Sequence, residues 1–165
     1  MMELILIRHG KAQKKGSIFP DQQRKLVTKG IEQLNQDLPF LNKYLSSRKQ
    51  VYLWSSNILR ALETAEIIKN LCGIDKITVQ GFIGNGDIDG LSCKLKQLPE
   101  TSTIIIVGHE PDLSEWIQHI CNKTVNFKKG AAAVINLVST PKATNGLTGE
   151  LIALAEPGDY QQLLS

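Results

Sequence analysis

The chain has 165 residues, of which 42% are hydrophobic and 21% are charged, and its formal net charge is +3. This composition is typical of a soluble globular protein, and the length predicts a single domain over residues 1–165. The basic residues are dispersed along the chain rather than gathered in a stripe, so nucleic acid is not an expected partner.

Export and membrane insertion are not expected either. The short apolar run at the start follows no basic leader, whereas a signal peptide needs an apolar stretch of about 7–15 residues. No stretch approaches the ~20 apolar residues of a membrane span. Cys72, Cys93 and Cys121 are widely spaced without a CxxC pair, which favours reduced packing residues. We therefore expect a cytoplasmic protein without membrane contact.

Six short runs rich in Ile, Val and Leu predict β-strands. They are Met2–Ile7, Val51–Trp54, Ile77–Val79, Thr103–Val107, Ala132–Val138 and Glu150–Leu154. Stretches with helical spacing alternate with the first strands, which predicts a three-layer α/β/α sandwich around a mostly parallel six-stranded sheet. The last two strands are joined by Thr140–Gly149 without a helix, so they are expected to form an antiparallel or edge pair.

Apolar side chains at intervals of three and four predict a helix around Ile31–Leu45 and a second around Leu59–Leu71. Pro39 is expected to kink or split the first helix. Ser55 and Ser56 are expected to cap the first amides of the second. The segment HEPDLSEW predicts a third helix, and GNGDIDG at residues 84–90 is interpreted as a turn.

Three segments place polar side chains at or just beyond the carboxyl ends of predicted strands. LILIRHG carries Arg8 and His9, TIIIVGHEP carries His109, and VYLWSS leads into a helix with Arg60 in its first or second turn. If these strands are parallel, the side chains meet at one edge of the sheet. Two guanidiniums and two imidazoles suit an oxyanion, and phosphate fits best because Arg donates two parallel N–H bonds. Cationic neighbours are expected to keep one imidazole neutral, with a nitrogen free to attack phosphorus.

Each of these residues also has a simpler interpretation. An Arg-His pair at a strand end is typical of a surface loop, and Arg60 alone is compatible with a solvated helix face. The functional hypothesis therefore depends on the four residues together. The three histidines are distant in sequence, and no Cys or carboxylate lies at ligand spacing, so we expect neither a metal nor another cofactor.

The set of motifs resembles the histidine phosphatase superfamily, which shares its fold with phosphoglycerate mutase. Within it, the chain is similar to the small phosphohistidine phosphatases of the SixA type. DQQRKLVTKG resembles their D-x-x-R-x-L-T-x-x-G segment, SSNILRALETAEII their S-x-x-x-R-A-x-x-T-A helix, and VGHEPDLS their third motif. The chain departs from the pattern at Val27, before the Thr, and at Gly84, where relatives often have Pro.

This resemblance implies a phosphoglycerate mutase-like fold in which His9 is the nucleophile that takes the phosphoryl group. Arg8, Arg60 and His109 would form the phosphate pocket, and Gly10 would let the loop approach the anion closely.

The second motif contributes Asp21 and Arg24, which we expect to shape the rim of the pocket rather than to take part in the chemistry. Superfamily members that cleave phosphate esters generally use a carboxylic acid as proton donor, because an alkoxide is a poor leaving group. The candidates here are Asp87, Asp89 and Glu110, and none is a clear equivalent. An imidazole leaves without a dedicated acid, so the missing donor favours a P–N substrate.

The function expected from the resemblance is metal-independent hydrolysis of phosphohistidine on a protein, such as a histidine phosphotransfer or related signalling domain. The short chain leaves few residues for a lid over a small metabolite. Two alternatives stay open: a phosphatase acting on a small phosphomonoester, and a non-catalytic module that binds phosphate or a phosphoprotein. The oligomeric state is open, with a monomer favoured.

Overall fold

The computed structural model describes residues 1–16, 18–139 and 146–165. In this part of the chain, one sheet is formed by β1 (Glu3–Arg8), β2 (Val51–Ser55), β3 (Thr78–Val79), β4 (Thr103–Gly108), β5 (Ala132–Ser139) and β6 (Thr148–Ala155). The helices are α1 (Thr28–Leu45), α2 (Leu59–Cys72), α3 (Gly81–Gly84), α4 (Ile88–Leu95) and α5 (Asp112–Cys121). Short 3-10 turns lie at Asp21–Gln23 and Tyr160–Leu164. None of the described helices is long and apolar enough to cross a bilayer.

The strand order across the sheet is β3-β2-β4-β1-β5-β6. The first four strands in this order run parallel, whereas β5 is antiparallel to β1 and β6 is antiparallel to β5. The predicted mostly parallel sheet with an antiparallel edge pair is therefore confirmed. β6 begins at Thr148, inside the segment predicted as a connection, of which residues 140–145 lie outside the described residues.

Alternation along β1 explains why helices cover both faces of the sheet. Leu4 and Leu6 pack on one face with α3, α4 and α5, whereas Ile5 and Ile7 pack on the other face with α1 and α2. All four side chains are fully buried, and each such burial contributes about 1.5–3 kcal/mol. The predicted three-layer α/β/α sandwich is confirmed, and the loops after β1, β2 and β4 meet at one edge.

Two local predictions need correction. α1 runs unbroken from Thr28 to Leu45 through Pro39, so of the two expected outcomes, a kink or a split, the split is wrong. Leu38 and Leu41 beside the exposed proline are fully buried, and their packing outweighs the lost backbone hydrogen bond. The segment GNGDIDG is not a turn throughout, because Asp87 caps α4 and residues 88–90 already belong to that helix.

Candidate active site

The candidate site lies at the carboxyl edge of the sheet, where β1, β2 and β4 end side by side. β1 and β4 stay paired up to Arg8 and Gly108. Just beyond, His9 N donates to Gly108 O and Ser56 N donates to Val107 O, each at 3.2 Å. These bonds fix the three departing loops at the same level, so side chains from distant parts of the sequence converge.

Arg8, His9, Arg60 and His109 come together at this edge and are here called the cationic cluster. The ring centroids of His9 and His109 lie 5.3 Å apart, and Arg60 Nε donates to His9 Nε2 at 3.2 Å. Arg8 lies within electrostatic reach of the other three residues. His9 is 5% exposed, and Arg60 and His109 are each 7% exposed. The fold thus brings the four predicted side chains together, with His9, Arg60 and His109 buried and Arg8 half-buried.

The tautomer of His9 follows from its neighbour in the loop. His9 Nδ1 lies 2.8 Å from the carbonyl oxygen of Gly10. A carbonyl only accepts, so Nδ1 carries the proton and the lone pair of the neutral ring is on Nε2. Burial lowers the pKa of His9 to about 3, and the charges of His109, Arg60 and Arg8 add to this effect. At neutral pH, His9 therefore presents an uncharged, nucleophilic Nε2 to a cationic surrounding.

His109 is held from its other side. Its Nε2 lies 2.6 Å from Oγ of Ser56, whose side chain is fully buried. His109 Nδ1 is buried and has no hydrogen-bond partner among the residues that the structure describes. Burial lowers the pKa of His109 to about 4, with Arg60 and Arg8 contributing. A buried ring nitrogen without a partner costs about 1–3 kcal/mol, so Nδ1 is the atom left for a bound oxygen.

Arg8 also has unused hydrogen-bonding capacity. Its Nη1 donates to the carbonyl of Phe127 at 2.9 Å, while its buried Nε has no partner within the described part of the chain. Burial lowers the pKa of Arg8, and Glu110 partly opposes this shift. A guanidinium nevertheless stays charged at neutral pH, so Arg8 keeps donors for an anion.

Asp21 brings a carboxylate to the cluster that the sequence argument had placed only at the rim. Arg60 donates to its backbone oxygen at 2.9 Å and to its carboxylate at 3.3 Å, and Arg24 Nε donates to the carboxylate at 2.9 Å. Burial tends to raise the pKa of Asp21, but the two arginines outweigh it and hold the pKa below its usual value. Asp21 is therefore an ionised partner that orients Arg60, not a proton donor.

Ser56 and Thr64 support the site but were not named as site residues. Thr64 Oγ1 donates to Arg60 O at 2.8 Å and accepts from Gly10 N at 3.1 Å, which ties the loop after β1 to α2. Arg60 and Thr64 are four residues apart in α2 and therefore lie on one face of the helix, whereas Ser56 precedes the helix. The Ser and the Thr of the S-x-x-x-R-A-x-x-T-A pattern were the signal for both.

The predicted capping role of the two serines is wrong. α2 begins at Leu59, and no side chain caps it at the preceding residue, Ile58. Ser55 Oγ donates to Ser56 O, and Ser56 Oγ lies against His109, with only a long bond of 3.4 Å from Ile58 N. The hydroxyl that capping propensity assigned to the helix is used by the site instead.

Of the three candidate proton donors, Glu110 and Asp87 are committed to helix starts, and Asp89 is an exposed residue in the first turn of α4. Glu110 accepts from the backbone N and from Oγ of Ser114 in the first turn of α5. Asp87 is exposed and accepts from Gly90 N at 3.1 Å as the cap of α4. Among the described hydrogen bonds, none joins either carboxylate to the two imidazoles. Nor do the described residues contain a group of three or more His, Cys, Asp or Glu side chains arranged to hold a metal ion.

The fold and the cationic cluster together define an α/β protein in which arginines surround a buried, neutral histidine. The family model described as the histidine phosphatase superfamily (branch 1) matches residues 4–100. The chain belongs to this superfamily, which confirms the predicted enzyme class, a phosphatase, at the level of the family. An uncharacterized protein of Picosynechococcus sp. is 30% identical over 167 residues, covering 94% of this chain and 97% of that protein.

Solved structures agree with this assignment of the fold. The protein histidine phosphatase SixA complexed with tungstate has a TM-score of 0.78 at 20% identity, over 95% of this chain and 98% of that one. Phosphoglycerate mutase from Plasmodium falciparum has a TM-score of 0.61 at 16% identity, over 96% of this chain and 91% of that one. The phosphoglycerate mutase-like fold and its similarity to the SixA type are therefore confirmed.

Proposed function

We propose that this protein hydrolyses phosphohistidine on a phosphorylated protein, such as a histidine phosphotransfer domain, through a covalent phosphoryl group on His9. One observation carries the proposal: the lone pair of a neutral His9 Nε2 lies inside the cationic cluster, with Nδ1 tied to Gly10 O. A nucleophile that is uncharged and surrounded by N–H donors is what attack on a phosphoryl dianion requires.

In the proposed first step, oxygens of the phosphoryl group accept from Arg8, from His109 Nδ1 and from Arg60. Arg60 Nε gives up its hydrogen bond to His9 Nε2, which frees the attacking lone pair. His9 Nε2 attacks phosphorus, the P–N bond of the substrate breaks, and its electron pair stays on the departing imidazole, which is protonated by solvent. In the second step, water attacks phosphorus and the bond to Nε2 breaks. Inorganic phosphate leaves, the proton of the water goes to solvent, and His9 is neutral again.

The positive charges of the site stabilise the transition state more than they stabilise the free protein. Arg60 and Arg8 carry positive charge that the free protein holds among buried groups. The equatorial oxygens of the transferring group carry negative charge in the transition state, so each donor is better satisfied there. Removal of one such preorganised donor typically costs about 3–4 kcal/mol.

The state of the nearby carboxyl groups supports a P–N substrate. Glu110 and Asp87 accept hydrogen bonds at helix starts, and the pKa of Asp21 lies below its usual value. Among the residues that the structure describes, these three carboxyl groups are therefore not poised to protonate an alkoxide. An imidazole needs no such acid, since its ring nitrogen is protonated close to neutral pH.

The test compares a peptide carrying phosphohistidine with a panel of phosphate esters, all with a chelator present. The wild type should hydrolyse the phosphohistidine peptide with the higher kcat/KM and form an acid-labile, base-stable phosphoprotein in rapid-quench experiments. His9→Ala should lose both. His119→Ala is the matched control, because His119 is an exposed histidine on α5 outside the cluster. Full activity of His9→Ala would refute the mechanism.

A small phosphomonoester is the second candidate substrate. Two observations favour it: the similar fold of phosphoglycerate mutase, and the electrostatic contact between Glu110 and Arg8. If Glu110 is a general acid, Glu110→Gln should abolish ester hydrolysis while phosphohistidine hydrolysis persists. If ester hydrolysis survives in both Glu110→Gln and Asp87→Asn, neither residue is the general acid. A non-catalytic binding module, the third candidate, would give no trapped phosphoprotein with any substrate.

A further inference from the structure

A second concave surface adjoins the loop that carries His9. This groove has a volume of about 550 Å³ and is bounded by the first half of α1, by residues 126–130 and by Pro157. Arg8 and Gly10, which flank His9 in sequence, line the end that adjoins the candidate site. A substrate that reaches His9 is therefore close enough to extend into the groove.

The lining of the groove is strongly basic. Lys11, Lys29, Lys128 and Lys129 surround it, and all four side chains are exposed. They come from three segments that are far apart in sequence, so the dispersed lysines of the linear chain gather here in space. We call these four residues the lysine groove.

Little negative charge on the protein offsets these lysines. Of the ion pairs found between residues 1–16, 18–139 and 146–165, one involves the lysine groove: Lys128 Nζ lies 3.2 Å from Glu156. The carboxylate that lines the groove, Asp37, is 3% exposed and accepts from Gln33 Nε2 and from Gly158 N. The surface open to a ligand is therefore cationic.

We propose that the lysine groove binds an acidic segment of the phosphorylated protein while its phosphohistidine occupies the cationic cluster. This inference rests on the proposed function and adds the chemistry by which the partner is selected. Exposed lysines spread over three segments suit several spaced carboxylates better than one compact anion, because each ammonium is a separate point charge on a flexible stem. Such complementarity raises the association rate and suppresses wrong partners.

The test uses two synthetic peptides of equal length with one phosphohistidine each, flanked by glutamates in one and by glutamines in the other. At low salt, the wild type should show a kcat/KM about tenfold higher for the acidic peptide, and added salt should reduce this ratio because the charges are exposed. The double variant Lys29→Glu/Lys129→Glu should abolish the preference or reverse it.

The control is Lys94→Glu/Lys96→Glu, which changes the net charge by the same amount at exposed positions on and just after α4, on the opposite face of the sheet. It should leave the ratio unchanged. Equal kcat/KM values for the two peptides in the wild type, or an equal loss in both double variants, would overturn the inference. The inference would also be overturned if Lys29→Glu/Lys129→Glu lowered kcat/KM for a small phosphate ester with a second anionic group more than for the acidic peptide.

Failure of the proposed function gives a different result, since neither peptide would then be hydrolysed. The lysine groove is tested in that case by fluorescence anisotropy with the unphosphorylated acidic peptide. Binding to the wild type that Lys29→Glu/Lys129→Glu weakens, and that the α4 control retains, supports the groove. Absence of binding to the wild type, or equal binding to all three proteins, rejects it.

Discussion

Two buried polar clusters lie at opposite edges of the same sheet, and they are built in opposite ways. At the amino edge, Glu3 on β1 accepts from Tyr44 Oη at 2.5 Å, from Thr103 Oγ1 at 3.1 Å, and from Arg48 through both Nε and Nη2 at 3.2 Å. We call these four residues the Glu3 cluster. Its carboxylate is paired with donors from three elements.

The cationic cluster at the carboxyl edge combines like charges instead. Two arginines lie beside two imidazoles whose pKa values burial and those arginines depress. Arg8 Nε and His109 Nδ1 lack partners among the described residues. Polar groups that are buried but unsatisfied cost free energy, so such an arrangement is typical of a site whose missing partner is a ligand. The Glu3 cluster is expected to stabilise the fold, and the cationic cluster to carry the activity.

Arg8→Met gives the largest expected effect and sharpens this comparison. It removes a half-buried guanidinium whose buried Nε has no partner among the described residues. The transition state should lose about 3–4 kcal/mol of stabilisation, so kcat/KM should fall by about two to three powers of ten. The free energy of unfolding should not fall in proportion, because the variant also removes repulsion between cations. Kinetics and urea unfolding of the same preparation test this. A large loss of stability with little loss of activity would reverse the assignment of the two clusters.

The second prediction concerns pH. The pKa values of His9 and His109 are about 3 and about 4 in the folded protein, below the ordinary value of 6.5. The unfolded chain therefore binds more protons as the pH falls below 6.5, and stability is lost in that direction. The two histidines together should cost about 3 kcal/mol between pH 6.5 and 5.

The measurement is urea unfolding across this pH range, with His9→Asn/His109→Asn as the comparison. The double variant should show a clearly shallower decline, because neither asparagine titrates. An equal slope in the two proteins would show that the imidazoles are not held neutral by the fold.

Glu3→Ala tests the other cluster. It leaves the phenol of Tyr44, the guanidinium of Arg48 and the hydroxyl of Thr103 without their shared acceptor. Arg48 is partly exposed and regains water, so the free energy of unfolding should fall by about 2 kcal/mol rather than by the full cost of a broken buried pair. The kcat/KM should stay within about twofold of the wild type, since small losses of stability leave a folded site intact. A loss of kcat/KM comparable in free energy to the loss of stability would show that the two edges of the sheet are coupled.

The difference between the clusters also explains what the sequence could reveal. Arg8, His9 and His109 follow apolar runs, and parallel strands bring such positions together, so these three members of the cationic cluster were predictable from strand ends. Arg60 lies in α2, and the S-x-x-x-R-A-x-x-T-A pattern was its signal. Glu3 looked like one polar residue in an apolar run. Its partners at positions 44, 48 and 103 lie in other elements, and only tertiary structure shows that they meet.

The same limit applies to the residues that were misjudged. Helix propensity places Ser56 at a cap, but His109 competes for its hydroxyl. Local rules split the helix at Pro39, but burial of its neighbours Leu38 and Leu41 holds it together. The lysine groove was invisible because Lys11, Lys29 and Lys129 are scattered along the chain. Sequence patterns within one element predicted the strands and helices. They did not predict where contacts with another element override a local preference.

The smallest expected effect is a difference between variants of two neighbouring serines, Ser55 and Ser56. Ser56 Oγ lies 2.6 Å from His109 Nε2, whereas Ser55 Oγ donates to Ser56 O, and both side chains are fully buried. Ser56→Ala and Ser55→Ala each remove one buried hydroxyl, so both should lose about 1 kcal/mol of stability. Of the two serines, Ser56 contacts the ring that, in the proposed mechanism, presents Nδ1 to the phosphoryl group. Ser56→Ala should therefore slow phosphorylation of His9 by about tenfold in rapid-quench experiments, and Ser55→Ala by less than about twofold. Equal rates in the two variants would mean that packing, rather than this hydrogen bond, orients His109.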